Sequence, residues 1–182
     1  DNDGYLWLGT FGGLAKFDGK KFTTFGKSDG LLNNRITTIE IIDEQLYIGH
    51  DKGISYQCAI DSFCPINFPE NVDPKNVTDI QRFKGKTYIS TNGAGLFTFD
   101  KNSKSLSYLK GSPKRIRGLE KHSNHLYLAT RKGIFEYSSN FKFLDFIPDA
   151  SYSSVISDGK KIVFTSYDGF LMSANVNLKE KQ

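Results

Sequence analysis

The chain has 182 residues, a formal net charge of +4, and apolar and aromatic contents of 38% and 14%. This length allows a single domain with a sizeable core, and no apolar run approaches the roughly 20 residues that a membrane-spanning helix needs. Basic residues are interspersed with acidic ones, which argues against nucleic-acid binding and against membrane contact by this segment.

The first residues form a unit that the chain repeats. Asp3 to Phe17 read DGYLWLGTFGGLAKF, in which an Asp-Gly turn precedes an apolar strand, a Gly-rich loop and a second strand. This order predicts one β-hairpin. Because the sequence begins at Asp1 inside such a unit and without Met, we expect it to be a piece of a longer protein.

The unit returns four times with different side chains. Equivalents of LWLGT at 6–10 are LYIGH at 46–50, TYIST at 87–91, LYLAT at 126–130 and IVFTS at 162–166. A spacing of about 40 residues is typical of one propeller blade per copy, and strands that are apolar on both faces require cover on both sides. We therefore predict an all-β fold, a β-propeller of about five four-stranded blades that forms part of a longer array.

The copies form one predicted segment, 1–182, and the terminal copies are incomplete. The repeats span about 1–27, 35–69, 76–110, 115–147 and 152–182. Predicted strands are 36–41, 45–49, 54–58 and 63–68, then 77–83, 87–90, 96–99 and 105–109, then 116–120, 125–129, 134–137 and 141–146, and finally 154–156, 162–166 and 170–174. The tail 175–182 is expected to add a strand to either the last or the first copy. Helix content should be close to nil, and the terminal blades should present uncovered apolar faces.

Recurring aromatic and glycine positions are predicted to build the blades. The mid-strand aromatic residues are Trp7, Tyr47, Tyr88 and Tyr127. We expect them to pack against the next blade rather than to stack on a sugar. Gly9 and Gly49 indicate close backbone approach, and the loop glycine before each third strand indicates a positive φ.

The two cysteines, Cys58 and Cys64, flank the turn AIDSF. They lie opposite each other if their segments form a hairpin, so a disulfide is geometrically possible and would fit an oxidising compartment. Two buried free thiols are an equally open alternative.

Catalytic and metal-binding patterns are missing from the sequence. The opening DNDG departs from a calcium loop, because its glycine comes too early and Gly12 stands where a Glu is needed. His50, His122 and His125 are expected at the surface rather than as metal ligands. No nucleophile elbow, P-loop or dinucleotide fingerprint occurs, so we predict no enzyme activity, metal or cofactor for this segment.

Ligand-binding candidates come from two sets of loops that are predicted to lie on the same face. One set joins second to third strands, and the other joins each copy to the next. The candidates are Arg35, His50, Asp51, Lys52, Asn92, Arg115, Arg131, Lys132, Tyr167 and Asp168, and Phe11, Asn33, Asn34, Lys75, Asn76 and Lys114 belong to the same loops. Such a surface suits an anionic or hydroxyl-rich ligand. Ordinary solvated loops are the alternative, and the basic group Lys114, Arg115 and Arg117 is interpreted as a solvated turn.

The string D-G-x-L-W-L-G-T-x-x-G-L-x-x-F-D, followed by GKKFTTFGKSDGLLNNRITTI, resembles the two-component regulator propeller repeat. In that family GLxxN introduces the first strand of the next blade, and residues 30–34 read GLLNN. The resemblance is strong from Asp1 to about Ile42, recognisable through Thr130 and weak in the last copy.

The resemblance implies the periplasmic sensor region of a hybrid two-component regulator from Bacteroidetes-like bacteria. Many such regions respond to oligosaccharides, so it implies a non-enzymatic segment with an oligosaccharide ligand. The remaining blades of the parent protein, or a second copy, are the implied partners. The motif itself is structural and transfers no binding residues. Two alternatives remain: an enzyme resembling propeller lyases, in which His50, Asp51 and Asp168 would act, and a protein-docking platform.

Overall fold

The computed structural model describes residues 1–73, 76–144, 151–169 and 171–174. They form five antiparallel sheets, each a meander of consecutive strands. A single 3-10 turn, Lys27–Asp29, is the helical element within these ranges. The all-β prediction and the near absence of helix are confirmed.

The five sheets are numbered in chain order. Sheet 1 contains β1 (Leu6–Gly9), β2 (Leu14–Phe17) and β3 (Phe22–Phe25). Sheet 2 contains β4 (Ile36–Ile42), β5 (Gln45–His50), β6 (Gly53–Ala59) and β7 (Ser62–Ile66). Sheet 3 contains β8 (Val77–Phe83), β9 (Lys86–Thr91), β10 (Gly95–Asp100) and β11 (Ser105–Tyr108). Sheet 4 contains β12 (Ile116–His122), β13 (His125–Thr130), β14 (Gly133–Tyr137) and β15 (Phe141–Leu144). Sheet 5 contains β16 (Tyr152–Ser157), β17 (Ile162–Ser166) and β18 (Leu171–Ala174).

Observed strand ends differ from the predicted ones by at most two residues. Three strands, β6, β9 and β10, extend one residue further at each end, whereas β7 ends at Ile66, before the predicted Phe68. Sheet 1 lacks a first strand, as predicted. The tail 175–182 lies outside the described residues, and so do residues 145 and 146 of a predicted strand.

Consecutive sheets stack face to face through the mid-strand aromatic residues. The Trp7 ring lies 6.5 Å from the ring of Phe63 in sheet 2, and Tyr47 lies 5.8 Å from Phe99 in sheet 3. Tyr127 is fully buried in the apolar layer between sheets 4 and 5. These contacts confirm that the aromatic positions build the interfaces between sheets.

A glycine near the end of the central strand lets the next sheet approach. A Cβ on Gly49 would lie 2.5 Å from Cγ2 of Thr38 and 2.8 Å from Cγ1 of Val77. Both distances are shorter than a real Cβ contact allows, and Val77 belongs to sheet 3. The predicted close backbone approach at Gly49 is confirmed.

Each first strand of sheets 2 to 5 contains a register shift at its second residue, which is a β-bulge or irregularity. The shifts fall between Ile36 and Thr38, Val77 and Asp79, Ile116 and Gly118, and Tyr152 and Ser154. The Thr37 hydroxyl donates to the carbonyl oxygen of Val77 at 2.6 Å, and the Thr78 hydroxyl donates to that of Ile116 at 3.0 Å. Bulges re-aim side chains, and here two threonines bond to the following sheet.

The outer face of sheet 1 is apolar and uncovered. Leu6 and Leu8 are 55% and 39% exposed, whereas their equivalents Leu46 and Ile48 in sheet 2 are 3% and 0% exposed. The difference arises because sheet 1 covers sheet 2, while no described sheet covers sheet 1. The expected uncovered face is confirmed at this end.

Cys58 and Cys64 form a disulfide that links β6 to β7, with their Cα atoms 5.7 Å apart. The alternative of two free thiols is therefore excluded in this structure. Within the described ranges, no helix is long and apolar enough to cross a membrane.

Candidate functional site

Hydrogen bonds join the two sets of candidate loops on one face. The backbone N–H of Ile36 donates to the Thr10 carbonyl at 2.9 Å. Further along, the N–H of Asn76 donates to the Asp51 carbonyl at 2.6 Å, and the N–H of Asn92 donates to the Asn76 carbonyl at 2.9 Å. The loops after the second strands therefore meet the loops between copies, as predicted.

A cleft of about 520 Å³ opens on this face between sheets 3 and 4. It is lined by Gly111, Pro113, Lys114, Arg115, Thr130, Arg131, Lys132 and Phe135 and is called the cationic cleft. All four charged residues among the described residues of this lining are basic and exposed. No described carboxylate forms an ion pair with any of them. Three predicted candidates, Arg115, Arg131 and Lys132, thus come together here.

Backbone contacts hold the walls of the cationic cleft in place. The Thr130 hydroxyl donates to the Gly133 carbonyl at 2.7 Å and accepts from the Lys132 N–H at 3.1 Å. These bonds fix the turn that carries Arg131 and Lys132. On the other wall, Arg115 forms a β-bridge with the candidate Asn92. The cations therefore project from ordered backbone.

A second cleft, of about 490 Å³, adjoins the first and shares Lys114 with it. It is lined by Asn71, Val72, Asp73, Gly93, Ala94, Phe97, Tyr108 and Lys114 and is called the aromatic cleft. Tyr108 is 45% exposed, and its ring packs edge-on against Phe97 at 5.6 Å. A Cβ on Gly95 would lie 2.9 Å from the Tyr108 ring, so the glycine leaves room for this tyrosine.

Two other predicted candidates neutralise each other. Arg35 Nε lies 3.2 Å from the Asp51 carboxylate, and the Arg35 guanidinium covers the Phe11 ring at 4.7 Å. A cation paired in this way has less charge to offer a ligand. Arg35 and Asp51 therefore form a self-contained pair above sheets 1 and 2.

The remaining exposed candidates lie apart from the two clefts. Tyr167 is exposed and packs against Arg117, whose guanidinium lies 4.3 Å from the ring centre. Lys52 and Asp168 are exposed in the turns of sheets 2 and 5. Lys75 lies outside the described residues.

The expectation that all three histidines lie at the surface is wrong for two of them. His50 is fully buried, and its Nε2 lies 3.0 Å from the Ser55 hydroxyl. Burial lowers the pKa of His50 to about 4, against smaller opposing effects of the Asn33 carbonyl and the Asp51 carboxylate. His122 is 6% exposed, and its Nδ1 contacts the Ser157 hydroxyl at 2.6 Å. The alternative of a lyase needs an accessible His50, which this placement contradicts.

The sequence interpretation missed Asn71, Asp73, Tyr108 and Phe135 as cleft residues. Tyr108 ends the fourth strand of its sheet, whereas the predicted candidates were chosen from the loops. The available signal was a large aromatic residue near the end of a predicted fourth strand, 105–109. Among the described residues, no group of three or more His, Cys, Asp or Glu is arranged to hold a metal ion.

Comparisons with protein-family models and with curated proteins gave no match. Several solved structures share the fold. The extracellular domain of system BT4673 from B. thetaiotaomicron matches with a TM-score of 0.80 at 20% identity, over 93% of this chain and 25% of that one. The extracellular domain of hybrid two-component system BT3049 from the same organism matches with a TM-score of 0.80 at 18% identity, over 97% and 28%.

A virginiamycin B lyase from Staphylococcus aureus matches less well, with a TM-score of 0.69 at 12% identity, over 98% of this chain and 69% of that one. This chain spans about a quarter of the length of the two B. thetaiotaomicron domains. At these identities the likeness concerns the fold. The recognition made from the repeat string is confirmed at that level: this chain has the propeller-like fold seen in extracellular domains of two-component systems.

Proposed function

We propose that the chain is a non-enzymatic, ligand-sensing segment of an extracytoplasmic two-component sensor, and that it binds an oligosaccharide across the aromatic and cationic clefts. The observation that carries this proposal is the adjoining pair of clefts on the loop face, which share Lys114. Binding sites combine a concave apolar surface with a few convergent polar groups. These clefts offer both.

The chemistry of the aromatic cleft suits a sugar. The exposed part of the Tyr108 ring offers an apolar face to the C–H groups of a pyranose, and Phe97 holds that ring from the side. Asn71 and Asp73 line the same cleft and present amide and carboxylate groups that can bond to hydroxyls. Two clefts in succession provide room for more than one sugar unit.

The segment is proposed to be part of a larger propeller, with the five sheets as consecutive blades. Leu6 and Leu8 occupy the positions that are buried against the preceding sheet in every later copy. A further blade of the same kind, from the parent protein or from a second copy, would cover them. The uncovered apolar face of sheet 1 also agrees with the small share of the B. thetaiotaomicron domains that the chain spans.

An extracytoplasmic location is supported by the disulfide between Cys58 and Cys64. Disulfides form and persist in oxidising compartments and are rare in the cytosol. The fold neighbours that are extracellular domains of two-component systems point in the same direction.

The test is calorimetric titration of the full-length protein with a panel of oligosaccharides. We expect saturable binding that Tyr108→Ala weakens by about tenfold, as expected for an aromatic contact at the centre of a binding site. Phe22→Ala is the matched control, since Phe22 is an exposed ring in sheet 1, outside both clefts. Failure of every saccharide to bind, together with a stable complex with a second protein, would instead support a docking platform.

A further inference from the structure

The four cations of the cationic cleft are a local concentration of charge. The whole chain has 24 Lys and Arg against 20 Asp and Glu, so most basic residues elsewhere are balanced by acidic ones. Among the described residues, the lining of this cleft supplies Lys114, Arg115, Arg131 and Lys132 and no acidic residue. A solvated turn would not require four like charges to face one concave space.

The two walls bring their charges from different sheets. Lys114 and Arg115 come from the connection between sheets 3 and 4, and Arg131 and Lys132 come from the turn between β13 and β14. Like charges repel each other, and no described carboxylate pairs with these four. An anion between the walls would relieve that repulsion and accept charge-assisted hydrogen bonds from both sides.

Hydrogen bonds within the chain hold both walls of the cationic cleft. The Ser112 hydroxyl accepts from the Leu96 N–H at 3.0 Å, and the Ser112 N–H donates to the Leu109 carbonyl at 3.1 Å. With the Thr130 bonds on the opposite wall, these contacts fix the backbone that carries the cations. Preorganised groups lose less conformational freedom on binding, so the arrangement suits a binding site.

On these grounds, and resting on the proposed function, we infer that the oligosaccharide is acidic and that its carboxylate or sulfate group lies in the cationic cleft. A sugar unit on Tyr108 places the next units of the chain beside Lys114, which belongs to both clefts. The aromatic cleft then binds the sugar rings, and the cationic cleft selects for the acidic group. Neutral oligosaccharides of the same length bind more weakly because the four cations stay uncompensated.

The experiment is titration of the full-length protein with oligogalacturonate, a chondroitin sulfate oligosaccharide, neutral malto-oligosaccharide of equal length, and sodium sulfate. We expect at least one acidic oligosaccharide to bind at least about tenfold more tightly than the neutral one. Higher salt should reduce that preference. The double variant Arg115→Gln and Arg131→Gln should remove this preference by weakening the binding of the acidic oligosaccharide.

The control variant Lys20→Gln and Lys101→Gln removes the same charge from exposed turns of sheets 1 and 3, and it should keep the preference. Equal binding of neutral and acidic oligosaccharides would overturn the inference and leave the proposed function standing. Sulfate that binds as tightly as the acidic oligosaccharides would also overturn it, since the cleft would then be a simple anion site. Absence of binding by every saccharide would overturn both.

Discussion

The carboxylate of Asp79 in sheet 3 accepts a hydrogen bond from the backbone N–H of Leu119 in sheet 4, with Oδ2 3.0 Å from the nitrogen. Its other oxygen accepts from the N–H of Ile80 at 2.9 Å. Burial raises the pKa of Asp79 to about 6, although both N–H groups act to lower it. One part-buried side chain therefore links two neighbouring sheets.

Replacing Asp79 tests this link. Asp79→Ala leaves the Leu119 N–H without its acceptor, and we expect the free energy of unfolding to fall by about 1–3 kcal/mol. Asp79→Asn keeps a carbonyl acceptor and removes a part-buried charge, so it should lower the free energy of unfolding by a clearly smaller amount. Urea unfolding followed by circular dichroism measures both, and equal losses in the two variants would contradict the role of the hydrogen bond.

Asp79 and His50 give opposite pH dependences of stability between about pH 4 and pH 6. The pKa of Asp79 is raised from 3.8 to about 6 in the folded chain. The stabilisation that comes from this shift is therefore complete below pH 3.8, the pKa in the unfolded chain, and is lost as the pH rises through 6. The pKa of His50 is lowered from 6.5 to about 4. The unfolded chain therefore takes up a proton first, and stability falls as pH drops from 6.5 toward 4.

Single variants should separate the two effects. Relative to the wild type, Asp79→Asn should lose stability on acidification from pH 6 to pH 4, and His50→Gln should gain it. For each group, the free energy of unfolding changes by at most about 1.4 kcal/mol per pH unit. Urea midpoints across this pH range provide the measurement. Parallel curves for all three proteins would show that neither group titrates as described.

The disulfide should stabilise the hairpin of β6 and β7. It closes a short loop, with a sequence separation of 6, and the chain-entropy estimate for such a loop is about 2 kcal/mol. We expect reductant to lower the unfolding midpoint of the wild type. The double variant Cys58→Ser and Cys64→Ser should have that lower midpoint with or without reductant, and a wild-type midpoint unaffected by complete reduction would refute the estimate.

Gly49 should not tolerate a methyl group. Gly49→Ala places a Cβ 2.5 Å from Thr38 and 2.8 Å from Val77, and overpacking of this kind costs about 1–3 kcal/mol. Gly12→Ala is the matched control, because the nearest atom to its added Cβ is the Thr10 hydroxyl at 3.8 Å. Thermal unfolding should separate the two variants, and equal midpoints would show that sheets 2 and 3 can move apart freely.

Local patterns in the sequence determined the repeated sheets and the face on which the loops lie. The segments around Trp7, Tyr47 and Tyr127 are apolar on both faces, so they predicted strands that are covered on both sides and aromatic residues that pack between sheets. The glycine before each third strand predicted a turn, because glycine readily adopts a positive φ. The bulge at the start of each first strand had no comparable signal, because Thr37 and Arg117 fit an ordinary strand as well.

Only the tertiary structure decided which candidate residues lie together. Arg35 pairs with Asp51 across two loops, whereas Arg115 joins Arg131 in a cleft without a described carboxylate. His50 occupies a loop-end position in the sequence, yet its side chain is buried. These outcomes depend on how neighbouring sheets are placed relative to each other. That placement arises from packing between residues about 40 positions apart, which local sequence patterns do not encode.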